Sequence, residues 1–337
     1  MKSINKEFPN PLKGEYLVYV RSITYNHREF IVDCMDGVAK QETAFPFVQM
    51  VIDDASSDGT PDVIKDYVNS EFDMQNACCY NNELADIFVV KHKTNSNYTI
   101  AVYLLKQNMY GNPKKEDLYQ PWREVCKYEA ICEGDDYWTD SSKLQQQVDF
   151  LEANPGFSAS AHQSRYIGAM EGLFMENVPS IIKMNDIVSN SRLFHTASMV
   201  MRNDLLMTLP PLKEQIVSGD KLWCLKCASF GPIYYFDKVM CTYRKHNSGL
   251  SSVVKLSNLK KDKNIAYYMK SIYPQFPQYR YLSFLYGTFA MYPKNISVIR
   301  KMWYLTISFV LSFSFFPDNF KVLVNKIIKT KKYQGGK

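Results

Sequence analysis

The sequence predicts an α/β fold, a mainly parallel sheet flanked by helices with its ligand site beyond the strands' C-terminal ends. Three observations predict it. Apolar runs with the look of buried strands alternate with segments of helical spacing as far as His246. Two of those runs, "FVQMVIDD" and "KYEAICEGDD", end in acid. The helical segments open and close on capping residues. No internal repeat interrupts the pattern.

The elements follow in order. "EYLVYVRSITYN" reads as a buried strand from Tyr16 to Ile23 running into a polar loop. "REFIVDCMDGVAKQ" places Ile31, Cys34, Met35 and Val38 at helical spacing. "FVQMVIDD" is a second strand, and "SSDGTPDVIKDYV" starts a helix with Thr60 as N-cap and Pro61 at the first helical position. "TIAVYLLKQN" and "KYEAICEGDD" are further strands, whereas Glu71 to Asn97 is polar and has no assignable element. "DSSKLQQQVDFLEANPG" is a capped helix with Leu144, Val148 and Leu151 on one face and Lys143 expected in solvent. "SRLFHTASMVMRNDLL" reads as strand into helix, "SGDKLWCLKCASFG" as a helix from Asp220 to Phe230, and "PIYYFDKVMCTYRKH" as paired strands.

Composition narrows the class. A chain of 337 residues, 46% hydrophobic and 22% charged, has material for a sizeable core. A net charge of +6 suits an anionic small molecule, a membrane surface or nucleic acid equally well. Eight cysteines form no framework, and the lone Cys224/Cys227 pair lacks the second pair a zinc site wants, so buried free thiols in a reducing compartment are expected. The polar start, "MKSINKEFPNPLKGE", has no apolar signal core, which fits a cytoplasmic protein.

From Leu256 the character changes. An aromatic-rich helical stretch leads to an apolar run, Trp303 to Phe316, and a tail carrying Lys321, Lys326, Lys329, Lys331, Lys332 and Lys337. That run is shorter than the roughly 20 residues a bilayer-spanning helix needs. Two readings remain: an in-plane helix on the cytoplasmic face of an anionic membrane, or a helix that caps the domain. The expected organisation is a tail over 1–14, an α/β domain over 15–255 and a helical segment over 256–337.

The acids carry the chemistry. Asp54, Ser56, Asp58 and Gly59 mimic the start of an EF-hand loop, but Lys65 stands at the twelfth position and a strand precedes the motif, so that reading fails. Neither a GxxxxGK[ST] nor a GxGxxG loop occurs, so a bound diphosphate would be neutralised by a cation on carboxylates. "EGDD" can supply one or two ligands of the kind Mn2+ or Mg2+ takes.

Four blocks, "ITYNHREFIVDCMDGVAKQ", "VIDDASSDGT", "EGDDYWTDSSKLQQQVDFLE" and "SGDKLWCLKCASFGPIYYF…YRKH", together resemble the family 2 glycosyltransferases over residues 15 to 250. The resemblance implies the GT-A fold and inverting transfer of a sugar from a nucleotide-sugar, a UDP-sugar being expected, to a glycan or lipid-linked acceptor in surface polysaccharide assembly. It implies no nucleic-acid partner. It places Thr24 and Tyr25 at the nucleoside, with Tyr25 stacking on the base, and Asp53 on the base itself, with Asp54 and Asp58 in the same loop. Glu133-Gly134-Asp135 stands at the DxD position, Glu replacing the first Asp; Asp135 is the metal ligand, Asp136 lies near the donor sugar, and His246 approaches the metal or diphosphate. Asp220 matches the catalytic base, although spacing alone makes it an N-cap. His195 reads as a core or acceptor-side group, Tyr137 and Trp138 as loop packing or a sugar wall, and Arg244 as a phosphate contact. The competing classes are a Mg2+-dependent phospho- or nucleotidyltransferase and a non-catalytic nucleotide-sugar or glycan-binding module.

Overall fold

A computed structural model describes residues 16–246, 255–292 and 296–313. The tail expected over 1–14, Ser314 to Phe316 and the lysines from Lys321 onward lie outside them. The chain divides into two compact units. One comprises Met1–Ile181, Phe194–Leu209 and Phe230–Asn247; the other comprises Ile182–Leu193, Pro210–Ser229 and Ser248–Lys337.

In the first unit the predicted alternation is present: β1 (Val18–Thr24), α1 (Ile31–Ala39), β2 (Phe47–Asp53), α2 (Thr60–Glu71), β3 (Cys78–Asn81), β4 (Ala85–Lys91), β5 (Tyr98–Leu105), α3 (Gln120–Arg123), β6 (Tyr128–Ile131), β7 (Tyr137–Trp138), α4 (Lys143–Ala153), β8 (Ala159–Gly168) and β9 (Gly172–Leu173). The two-residue β10 (Ile181–Ile182) and the helix α5 (Met184–Ser189) mark the passage to the second unit, and β11 (Val200–Arg202) with α6 (Asn203–Leu206) returns to the first. After α7 (Gly219–Phe230), β12 (Ile233–Lys245) joins the sheet, which runs β10-β12-β8-β11-β6-β1-β2-β5-β4-β3, with β7 also paired to β12 and β9 to β8. The centre, β6-β1-β2-β5, is parallel.

Every residue of β2, β5 and β6 is buried, because helices and loops cover both faces of a parallel sheet. Val18, Val20, Val51, Ile31, Val38 and Leu144 fill one face; Tyr19, Val48, Met50, Ile52, Tyr103 and Trp122 fill the other. Ile31, Cys34, Met35 and Val38 of α1 and Leu144, Val148 and Leu151 of α4 point inward, as their spacing predicts.

Four expectations change. The unassigned stretch after Glu71 contains β3 and β4, an antiparallel pair extending the sheet from β5. The β3 side chains are mostly exposed, so no hydrophobic period betrays the strand. "PIYYFDKVMCTYRK" is one long strand rather than a pair; irregularities between Phe236 and Cys241 break its alternation while it stays paired to β8. Helix α2 begins at Thr60 itself, after Gly59 in a left-handed conformation (φ 91°), with Asp58 accepting from the Thr60 amide at 2.9 Å. Cys78 and Cys79 are exposed, although all eight thiols are unbridged.

The second unit holds α5, α7 through Ser229, α8 (Leu256–Leu259), α9 (Lys263–Ile272), α10 (Gln278–Ala290) and α11 (Val298–Ser312). Helices α10 and α11 lock through reciprocal bonds in which the hydroxyls of Ser283 and Ser308 each donate to the other's carbonyl at 2.8 Å. This unit takes in segments 182–193 and 210–229, which the sequence reading grouped with 15–255. Buried Asp262 is one reason, since its carboxylate accepts from the Val217 amide, the Ser218 amide and the Ser218 hydroxyl at 2.7, 3.1 and 2.6 Å. No helix among the described residues is long and apolar enough to cross a membrane.

Candidate active site

The site of the first unit is built at the C-terminal ends of β1, β2 and β6, where Thr24, Asp53 and Ile131 are the last strand residues. Parallel pairing brings the ends together, since Thr24 is in register with Asp53. The loops leaving β1 and β2 are then fastened to each other. The Asn26 amide donates to the Ser56 hydroxyl (2.8 Å), the Ser57 amide to the Asn26 side chain (2.9 Å), the His27 amide to the Thr60 hydroxyl (3.0 Å) and the Arg28 amide to Asp58 (3.1 Å). Asn26 (φ 56°) and Ala55 (φ 59°) adopt left-handed backbone at this junction. Such conformations cost about 1–2 kcal/mol each and persist where surrounding contacts fix them.

Asp53 is buried, and its Oδ2 accepts from the Ser56 amide at 3.0 Å. Its Oδ1 and the buried Thr24 Oγ1 have no hydrogen-bond partner among the described residues. Burial, reinforced by Asp58 and Asp54, raises the Asp53 pKa. Asp54 is engaged differently: it pairs with the Lys115 ammonium at 2.6 Å and accepts from the Met109 amide at 2.6 Å, anchoring the loop after β5. Tyr25 is 47% exposed at the rim.

The "EGDD" turn lies against these loops. Gly134 donates to the Ile23 carbonyl at 2.9 Å. A Cβ there would stand 2.7 Å from both Cβ and Oγ1 of Thr24, so only glycine lets the turn approach. Asp135 meets His246, whose Nε2 is 3.0 Å from its Oδ2, and His27, whose Nε2 is 3.9 Å from the same oxygen. Candidate ligand atoms of His27, Asp135 and His246 all lie within 4.8 Å of one another, all three residues being partly buried. Burial pushes the His27 pKa down against the opposing pull of Asp135, which favours the neutral imidazole that ligates metals. The sequence reading passed over His27. Its signal was only a histidine in the "TYNH" loop, four positions from a helix face.

A second group, Glu133, Asp136 and His195, lies deeper. Asp136 is buried; its Oδ1 accepts from the Arg244 amide at 2.9 Å, and its Oδ2 has no hydrogen-bond partner among the described residues. Burial first, then Asp135 and Glu133, raise its pKa well above the carboxylate range. His195 stacks on Tyr243 (centroids 4.0 Å apart), lies 3.5 Å from Asp136 and accepts from the Ala197 amide at 3.2 Å. Glu133 accepts from the Thr196 hydroxyl at 3.2 Å.

Arg244 stacks between Phe30 and Tyr137 and binds the Asp33 carboxylate and the Asp135 carbonyl. Trp138 is buried and donates its indole N–H to the Ala197 carbonyl at 2.9 Å, so it is scaffold. Lys143 corrects an expectation. It is fully buried, not solvated, with its ammonium 4.0 Å from the Trp138 ring centre. Helical spacing puts position 143 beside the apolar 144, and the tertiary fold covers both. Asp220 belongs to the second unit, in the first turn of α7, about half exposed and 3.8 Å from Arg192.

A divalent cation fits the partly accessible group: a carboxylate between two imidazoles, beside buried oxygens of Asp53 and Asp136 that have no hydrogen-bond partner among the described residues. With fold and site together, the class is clear. The model of glycosyl transferase family 2 matches residues 20–208, more than half of the chain, and the chain belongs to that family. An uncharacterized protein of Mycobacterium tuberculosis and its counterpart in Mycobacterium bovis are each 29% identical over 236 residues, 68% of this chain. The match spans 59% of those relatives' own length. Among solved structures, S. aureus TarS 1–349 in complex with UDP is similar with a TM-score of 0.55 at 16% identity, over 91% of this chain and 83% of that one. The complex of the same TarS segment with UDP-GlcNAc gives 0.54 at 17%, over 89% and 73%. The shared fold is the GT-A fold.

Proposed function

We propose that the chain is a metal-dependent, inverting glycosyltransferase that moves a sugar from a UDP-sugar to a hydroxyl of a glycan or lipid-linked acceptor in surface polysaccharide assembly. The observation that carries the reading is the convergence, at the ends of β1, β2 and β6, of a carboxylate with a free oxygen (Asp53) and a carboxylate–imidazole group (Asp135, His246). That pairing suits a ligand with a hydrogen-bonding base at one end and a diphosphate at the other. TarS, with the same fold, binds UDP-GlcNAc, which supports a UDP-sugar as donor.

In this reading Asp53 Oδ1 accepts from the base, and Tyr25 stacks on it. Thr24 and Glu133 border the nucleotide-sugar, and Asp54 holds the loop of Lys115 and Met109 around it. Asp135 and His246 hold Mn2+ or Mg2+, which supplies charge neutralisation to the leaving diphosphate. Asp136 lies at the donor sugar. Asp220 takes the proton of the acceptor hydroxyl as its oxygen bonds to the anomeric carbon, while the bond to the nucleoside diphosphate breaks. Helix α11 carries Val298, Ile299, Met302, Trp303 and Phe309 exposed, beside Arg300 and Lys301, which supports docking on an anionic lipid surface at the cytoplasmic face.

The test is incubation of the full chain with individual UDP-sugars and Mn2+. UDP release that rises with an acceptor is expected. Release of pyrophosphate would assign a nucleotidyltransferase instead, and donor binding without turnover on any acceptor would assign a binding module.

A further inference from the structure

We propose that His27 is a third protein ligand of the cation, so that this chain offers two imidazoles and one carboxylate and prefers transition ions to Mg2+. The proposal rests on the metal-dependent reading above and specifies its site.

Geometry carries it. The His27 and His246 rings stand edge to face, 6.0 Å between centroids and 89° between planes, and each turns Nε2 toward the same Asp135 oxygen. For His246 that distance is 3.0 Å; for His27 it is 3.9 Å, too long for a hydrogen bond. An ion with bonds of about 2 Å can bridge such a gap. His27 is also held in place before any ion arrives. Its amide binds the Thr60 hydroxyl, its carbonyl accepts from the Phe30 and Ile31 amides at 2.9 Å, and its ring is wedged against Gly134 and Phe30.

The ligand set has a consequence. Mg2+ favours oxygen donors and retains water, whereas imidazole affinity rises along the series Mn2+, Co2+, Ni2+. Two imidazoles therefore tilt the site toward Mn2+ and, more strongly, Co2+. Asp135 is the one carboxylate of this group, which deepens the same preference.

The experiment measures ion binding to the full chain without donor. Free Mn2+ is followed by electron paramagnetic resonance, with Mg2+ and Co2+ as competitors, in wild type, His27→Ala, His27→Gln and Asp135→Ala. Thermal melts by circular dichroism check that the variants are folded. Wild type is expected to bind Co2+ more tightly than Mn2+ and Mn2+ more tightly than Mg2+. Both His27 variants are expected to weaken Mn2+ and Co2+ at least tenfold while changing Mg2+ less than threefold. The visible spectrum of the Co2+ form should also change on losing a nitrogen ligand. Unchanged Mn2+ and Co2+ affinity in folded His27 variants, with loss in Asp135→Ala, overturns the proposal and leaves the metal-dependent reading intact. A wild type that binds none of the three ions, with or without UDP, overturns both.

Discussion

Lys143 stands fully buried over the Trp138 ring, and burial pushes its pKa from 10.5 down to about 7. The indole face opposes that push by attracting the ammonium. An unfolded lysine holds its proton to about pH 10.4. Between roughly 7 and 10.4 the folded state therefore binds fewer protons than the unfolded one, and stability rises with pH across that window. The penalty of the buried charge is fully present below about pH 7. Lys143→Met should accordingly raise unfolding free energy at pH 6 by about 1–3 kcal/mol. Urea titrations at pH 6 and pH 9.5 check this, the gap to wild type narrowing at the higher pH. Asp53 gives a second expectation at this scale. Its Oδ1 is buried without a hydrogen-bond partner among the described residues, and a hydrogen bond to a charged acceptor contributes about 1.5–3 kcal/mol. Asp53→Ala should weaken UDP binding by at least tenfold in calorimetry, with Mn2+ binding in the absence of nucleotide unchanged.

At the scale of elements, the site depends on three strand ends and on the loops that tie them. The β1 and β2 loops are joined by four hydrogen bonds, and the "EGDD" turn presses on Thr24 with no room for a side chain at Gly134. Gly134→Ala places a methyl 2.7 Å from Thr24, so turn and strand end must part. The expected outcome is a fall of several degrees in melting temperature together with at least tenfold weaker binding of UDP in the presence of Mn2+. In the second unit, Asp262 grips residues 217 and 218 just ahead of α7 and so fixes where that helix, with Asp220 in its first turn, begins.

At the scale of the whole molecule, each unit has its own character. The first is a sheet whose central parallel strands are buried on both faces. The second is helical among the described residues, and in its helix α11 Tyr304 and Ser308 are buried while Ile299, Met302 and Trp303 are 81%, 59% and 63% exposed. That one-sided burial is the observation on which the proposed membrane contact rests. Full-length protein should float with vesicles containing anionic lipid, and Ile299→Glu/Trp303→Glu should float much less. Failure of the full-length protein to float would remove the membrane surface from the proposed function, and equal flotation of the two would remove α11 as the element that docks.

The sequence by itself determined the alternation of strands and helices, because core-facing periodicity is written locally: Ile31, Cys34, Met35 and Val38 had to share a face, and Leu144, Val148 and Leu151 likewise. It also marked the acidic strand ends, since charge after an apolar run stands out without coordinates. Strand β3 escaped notice because an exposed edge strand carries no hydrophobic period. Only the tertiary structure brought His27 to Asp135, across more than a hundred residues, through the parallel register of β1 with β6. It alone buried Lys143 beneath neighbours distant in the chain, and bound Asp54 to Lys115. Periodicity shows which residues face inward; which charged groups meet there depends on contacts between segments that no local pattern records.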